Sequence, residues 1–244
     1  MDRVLYVAMS GAKQTLLAQQ ANNNNLANVS TTGFLSDLNA FRSMQAFGEG
    51  YPSRVFAITE KPGVDFQKGA LISTGRELDI AVSNDGWISV QSKEGSEAYT
   101  RAGDLRLEQG GLLVTGTGLP VLGNGGPIIL PPGESITIGN DGSISIRPPG
   151  SNTLAVVDRI RLVKGEPKDL VKGLDGLIRH KDGIALQADA SIRVASGTLE
   201  SSNVNVVEAM VNMISLARSY ETQVKVMKEA QEMDAATDQL LKLS

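Results

Sequence analysis

From Asp2 to about Asn28, Leu5, Met9, Ala12, Leu16, Gln19, Asn23 and Leu26 recur at alternating spacings of four and three, which predicts one helix with a seam along it. Asp2 is placed to cap its start. The polar run Asn22–Asn25 lies inside this helix and is its weakest stretch by propensity. Asn28-Val29-Ser30-Thr31-Thr32-Gly33 then reads as a stop and turn, with Gly33 free to take a positive φ.

Beyond this turn the period falls to two. Leu105/Leu107, Ile136/Ile138 and Ile160/Leu162 alternate with polar neighbours, as half-buried antiparallel strands do. Asn84-Asp85-Gly86-Trp87-Ile88-Ser89-Val90 and Asn140-Asp141-Gly142-Ser143-Ile144-Ser145-Ile146 each set a tight turn before an alternating strand. Lys181-Asp182-Gly183-Ile184-Ala185-Leu186 is expected to repeat the device. The span before these strands, with Pro52 and Pro62, reads as an extended connector.

The helical period returns from Asn205 to Leu243, with Asn205 as cap and Glu208 at the capping-box position. Val206, Met210, Met213, Ala217, Tyr220, Val224 and Met227 keep the four-three spacing, which then slips by one residue through Ala230, Met233, Thr237 and Leu240. Between Val206 and Ala217 only Glu208, Asn212 and Ser215 are polar, and they form one narrow stripe. A helix apolar on its other sides needs cover from several directions, so neighbours from other chains are expected.

Composition narrows the chemistry. Aromatics are only 4% of the 244 residues, so the core must be aliphatic. The net charge of −4 offers no basic footprint for nucleic acid. Cysteine is absent, which removes disulfides, Cys-ligated zinc and Cys nucleophiles. The first residues show no basic segment leading into an apolar one, and no eighteen apolar residues run together, so neither a cleaved signal nor membrane insertion is expected.

Candidate sites all reduce to structural roles. Ser10 and Lys13 match the Ser-x-x-Lys of acyl-transferring enzymes, but the companion motifs are missing and the pair lies on a helix expected to pack. His180 is the one histidine and is expected in a solvated loop. The glycines of Gly116–Gly118 and Gly123–Gly126 lack both the spacing and the following helix of a phosphate loop. Asp79, Asp85 and Asp104 are candidates for a glycosidase-like pair, with local turn roles favoured because Asp85 and Asp104 adjoin glycines. No catalytic residue, cofactor or metal is expected.

Both ends carry a resemblance. Asn25-Leu26-Ala27-Asn28-Val29-Ser30-Thr31-Thr32-Gly33-Phe34 is similar to the Asn-Leu-Ala-Asn-x-x-Thr-x-Gly-Phe/Tyr signature of flagellar rod and hook proteins. Glu200, Ser202, Asn203 and Val204 resemble that family's segment leading into its last helix. Leu78–Val82 and Tyr99–Gly103 resemble its central blocks, and the Asp85-Gly86-Trp87 turn is most similar to proximal-rod subunits.

The resemblance implies a structural, non-enzymatic subunit of the bacterial flagellar basal-body rod, exported by the flagellar type III apparatus without a cleaved signal and assembled in the periplasm. Its terminal helices would pack with copies of the chain and with other rod proteins into a torque-transmitting tube. The assembly residues are then Leu5, Met9, Ala12, Leu16, Asn25, Leu26, Ala27, Asn28, Thr31, Gly33 and Phe34, with Glu200, Ser202, Asn203, Val204 and the seven seam residues from Val206 to Met227. The expected fold is α+β: an assembly helix over 1–34, a connector over 35–69, a mainly antiparallel β domain over 70–197 and a second, coiled-coil-like assembly helix over 198–244. The alternatives are a distal-rod or hook subunit, or a secreted peptidoglycan-binding β module.

Overall fold

The chain's two ends form its two α-helices, α1 over Asp2–Ala27 and α2 over Val206–Lys242. At 1.5 Å per residue the 37 residues of α2 span about 55 Å. The computed structural model describes residues 2–38, 41–45, 55–59, 63–150 and 153–242, and divides into two compact units. The first unit gathers 1–28, 37–65 and 204–244; the second gathers 29–36 and 66–203.

In the first unit α1 and α2 pack antiparallel. Asn22 Nδ2 donates to the Ala209 carbonyl at 2.8 Å, and Thr15 Oγ1 lies 3.2 Å from Gln223 Oε1. Asn205 Oδ1 accepts from the Val207 and Glu208 amides at 3.0 and 3.3 Å, the capping expected of it. Asn205→Ala should cost about 1 kcal/mol and Asn205→Asp much less. Amide exchange at Val207 and Glu208 checks this; equal exchange in both variants would refute the cap.

The Asn22–Asn25 tract holds by side-chain bonding what propensity does not favour. Asn25 Oδ1 accepts from the Asp37 amide at 2.8 Å while its Nδ2 donates to the Asp37 carbonyl at 2.9 Å. Asn24 Nδ2 reaches Asp37 Oδ2 at 2.9 Å, and Asn28 Nδ2 reaches back to the Asn24 carbonyl at 2.9 Å. The side chain of Asp2 lies outside the described residues.

The connector reading fails over part of its span. Phe41–Gln45 pairs antiparallel with Val55–Thr59, and Asp37–Leu38 with Gly63–Val64, so the chain doubles back as a hairpin beside α1. The β-branched and aromatic residues of Val55-Phe56-Ala57-Ile58-Thr59 favour a strand, and Pro52 falls in sequence between the two arms. Pro52 and Pro62 themselves lie outside the described residues.

The second unit is built of short strands and loops, with one 3-10 turn at Pro167–Asp169 among its described residues. Its largest sheet is antiparallel, in the order Leu162–Lys164, Gly86–Gln91, Glu97–Thr100, Ile178–His180, Leu170–Lys172. A three-stranded sheet runs Ser135–Ile138, Ser143–Arg147, Ala155–Arg159, its first hairpin turning at Asn140-Asp141-Gly142 with Gly142 at φ 84°. Short pairs complete the unit, among them Ile80–Val82 with Val194–Ser196 and Leu71–Ser73 with Thr198–Glu200. The core is aliphatic, as the scarcity of aromatics required: Ile80, Ile88, Val90, Leu105, Leu113 and Ile144 are among its fully buried members. The architecture is α+β.

Two expectations are corrected here. Gly183 does turn, at φ 68°, but no strand follows it. The Leu186 amide donates to Tyr99 Oη at 2.7 Å and its carbonyl accepts from Arg161 Nη2 at 3.0 Å, so side chains take the bonds a neighbouring strand would have supplied. Burial pushes the Tyr99 phenol up from its ordinary range, against the opposing effect of the Leu186 amide. His180 closes a strand rather than sitting in a solvated loop, half-buried where Leu170 pairs with it.

Candidate assembly site

Large apolar residues mark one line along each terminal helix, and the line along which the helices meet shares only some of its residues. On α1 the buried residues are Ala12, Thr15 and Ala18, while Met9 and Leu16 are exposed and Leu5 and Leu26 half-buried. On α2 the less exposed residues are Ala209, Met213, Leu216, Tyr220, Gln223, Met227, Ala230, Asp234 and Thr237, with Ala217 beside that line. These keep the four-three spacing throughout, so the slip expected after Met227 is not followed by the packed face. Small residues explain the choice, because Gly11, Ala12, Ala18, Ala209 and Ala230 let two backbones approach where Met9 or Leu16 would hold them apart.

Met213, Tyr220 and Met227 belong to both lines, and Ala217 is half-buried. Val206, Met210 and Val224 stay exposed. With them go Val207 at 70%, Val211 at 60% and Ile214 at 52% exposure, a continuous apolar face along the first turns of α2. Leu240's side chain lies outside the described residues. On the exposed side of α2, Lys228 and Glu232 pair one turn apart at 3.9 Å.

The second unit holds the two family-like motifs together. The Gly33 amide donates to the Glu200 carbonyl at 2.8 Å. Gly33 sits at φ 65°, and a Cβ there would lie 2.3 Å from the Arg101 carbonyl carbon, so conformation and space both require glycine. The Asn203 amide donates to the Phe34 carbonyl at 3.3 Å, while Asn203 Oδ1 accepts from the Ser36 amide at 2.8 Å and Nδ2 donates to the Gln67 carbonyl at 3.0 Å. Lys172 Nζ donates to the Leu35 carbonyl at 2.7 Å and stands 3.9 Å from the centroid of the Phe34 ring.

Beneath this junction lies a buried charge pair. Arg101 and Glu200 are 3% and 1% exposed. Arg101 Nη1 donates to Glu200 Oε2 at 2.8 Å and Oε1 at 3.1 Å, and Nη2 donates to the Asn84 and Gly86 carbonyls at 2.9 and 3.3 Å. The guanidinium carbon is 5.0 Å from the Trp87 ring centroid, and Phe66 meets that ring edge-on at 6.1 Å. The Gly69 amide gives Glu200 Oε1 a further donor at 3.1 Å. Both charges are thereby compensated in a dry site. The resemblance placed Glu200 among the assembly residues, and no sequence signal singled out Arg101, whose partner lies 99 positions away.

The remaining motif residues have local places. Asn28 bonds Asn24, Thr31 accepts from the Phe34 amide at 3.3 Å, and the Ser202 carbonyl accepts from the Ser201 hydroxyl at 3.2 Å. Ala27 ends α1 on the exposed side, and Val204 is half-buried ahead of α2.

Among the catalytic candidates, Asp79 and Asp104 face each other across an isolated antiparallel backbone bridge. Ser10 Oγ is buried without a hydrogen-bond partner among the described residues, whereas Lys13 is exposed. Asp79 Oδ2 accepts from Thr74 Oγ1 at 2.7 Å with Arg76 beside it, and Asp85 pairs with Lys68 at 3.2 Å. Gly118 and Gly126 take positive φ, as turn glycines do. Among the described residues no three His, Cys, Asp or Glu side chains group as metal ligands, and no helix is long and apolar enough to cross a membrane.

Comparison with known proteins gives the chain's relatives. Residues 5–34 match the family described as "Flagella basal body rod protein", 81–146 the "Flagellar hook protein FlgE/F/G D1 domain", and 195–240 the "Flagellar basal body rod FlgEFG protein C-terminal". The flagellar basal-body rod protein FlgF of Salmonella typhimurium is 44% identical, and that of Escherichia coli 43%, each over 100% of both chains. The rod protein FlgG of Bacillus subtilis is 32% identical over 96% of this chain and 97% of its own. The matched families and relatives are flagellar rod and hook proteins, with no catalytic family among them.

Proposed function

The chain belongs to the family of flagellar basal-body rod proteins represented by FlgF, and from that membership we propose that it is a proximal-rod subunit joining its neighbours through its terminal helices. Its role is structural. The observation that carries the assembly reading is the apolar face of Val207, Met210, Val211 and Ile214, which α1 leaves open to water. A second copy, or another rod protein presenting a similar helix, would cover it in a coiled-coil-like contact. Met9 and Leu16 on α1 extend the same provision.

The proximal position is supported by the 44% and 43% identity to the FlgF proteins of Salmonella typhimurium and Escherichia coli, against 32% to the FlgG of Bacillus subtilis. Export through the flagellar apparatus without a cleaved signal, assembly in the periplasm and transmission of motor torque complete the proposal. The distal-rod and hook reading, which the FlgG relatives share in part, is less favoured than the FlgF one, and the peptidoglycan-binding module has no relative behind it among those compared.

Met210→Asp tests it. Met210 is exposed in the single chain, so its replacement should leave monomer stability within about 0.5 kcal/mol. In an assembled rod it would bury an unpaired carboxylate in every copy, and rod completion and motility should be lost. Ser215→Asp, on the polar stripe, makes a comparable change and should swim. Normal motility of Met210→Asp, or equal failure of the two exported proteins, overturns the assignment of this face.

A further inference from the structure

We propose that Asn124 is a site of spontaneous succinimide-mediated deamidation, set up by the bend that holds it. Asn124-Gly125 is the one Asn-Gly dipeptide of the chain. Both residues are exposed, and among the described residues neither the Asn124 side chain nor the Gly125 amide has a hydrogen-bond partner. A Cβ built on Gly125 would meet nothing within 4 Å, so the space around the nucleophilic nitrogen is open. The approach of that nitrogen to Asn124 Cγ is set by the ψ and χ1 of Asn124, and the missing Cβ of glycine keeps the path clear.

The chemistry needs only water. The deprotonated Gly125 backbone nitrogen attacks Asn124 Cγ, the Cγ–Nδ2 bond breaks, and ammonia leaves. Water then opens the five-membered imide at one carbonyl or the other, giving aspartate or iso-aspartate. Other asparagines are guarded. Asn22, Asn24 and Asn25 are hydrogen-bonded within a helix, and Asn84 and Asn140 precede aspartate residues whose side chains crowd the attack.

The product changes the bend. Gly123 N–H closes it onto the Gly126 carbonyl at 2.7 Å, and iso-aspartate inserts an extra backbone carbon into that loop. A new carboxylate also arrives next to Gly123, against which the Asp158 carboxylate is packed. Like charges side by side and a lengthened turn both loosen the Leu122–Pro127 bridge.

The full-length protein is incubated in mildly alkaline buffer and mapped by mass spectrometry, with enzymatic labelling of iso-aspartate. The peptide holding Asn124 should gain about 1 Da and label as iso-aspartate while the other asparagine peptides remain unchanged. Gly125→Ala should slow the conversion about tenfold by placing a Cβ beside the attacking nitrogen. An Asn124 that stays intact while an unstructured peptide of the same sequence converts fully overturns the proposal. So does conversion of Gly125→Ala at the unmodified rate.

Discussion

Arg101→Leu is expected to lower the stability of the second unit by about 3–5 kcal/mol, because it leaves the Glu200 carboxylate buried without its counter-charge. Glu200 would keep the Gly69 amide but lose both Arg101 bonds, and the Asn84 and Gly86 carbonyls would lose their donor. Against a total of about 5–15 kcal/mol for a domain, a loss of that size puts folding itself at risk. Trp87 is the chain's single tryptophan and stacks on the guanidinium, so its fluorescence reports denaturant unfolding at the node. Midpoints are compared rather than amplitudes, since the substitution also changes the tryptophan's surroundings. Arg101→Leu with Glu200→Leu should recover part of the loss, because an apolar pair leaves no charge stranded. An Arg101→Leu midpoint shift worth less than about 1 kcal/mol, or a double variant no better than the single, would show that the pair does not hold the unit.

The second large effect is expected at Gly33. Alanine there must adopt φ 65° and place its Cβ 2.3 Å from the Arg101 carbonyl carbon and 2.4 Å from the Ala102 nitrogen, neither of which is a flexible side-chain end. Left-handed backbone costs an L-residue about 1–2 kcal/mol. Forcing an extra carbon into packed surroundings adds about 1–3 kcal/mol. Gly95→Ala separates the two contributions, because Gly95 has φ 84° and nothing within 4 Å of its would-be Cβ. Gly33→Ala should therefore destabilise by about 2–5 kcal/mol and Gly95→Ala by about 1–2. The loss at Gly33 should appear first as release of Val29–Ser36, seen as faster exchange of the Gly33 amide that bonds Glu200. Equal effects at Gly33 and Gly95 would mean that the close approach to Arg101 is not a constraint.

Local signals carried much of this protein. Periodicity located α1 and α2 within a residue or two of their ends, since helix seams and the Asn205 cap depend on neighbours three and four positions apart. The Asp-Gly turn at Gly142 and the aliphatic core were legible for the same reason, whereas at the other Asp-Gly the turn falls on Asn84 and Asp85 and Gly86 opens the strand. The positive φ of Gly33 could be expected from its place after a helix stop, although the Arg101 backbone that also demands glycine could not. The composition of Phe34–Gly69 misled, because proline and glycine report where a chain turns and not whether its arms pair across the turn.

Tertiary structure alone decided the rest. The spacing of large apolar residues could mark a seam on each terminal helix, but not which line would meet the other helix. Close packing selected Ala12, Thr15, Ala18, Ala209 and Ala230, and it left Met9, Leu16 and Met210 exposed. The Asn22–Asn25 tract read as a weakness until Asp37 arrived to bond it. Arg101 and Glu200 each look, in sequence, like one more surface charge. Only a fold that carries residue 200 back beneath residue 33 and beside residue 101 removes water from both, and removing that water turns an ordinary ion pair into a condition for folding.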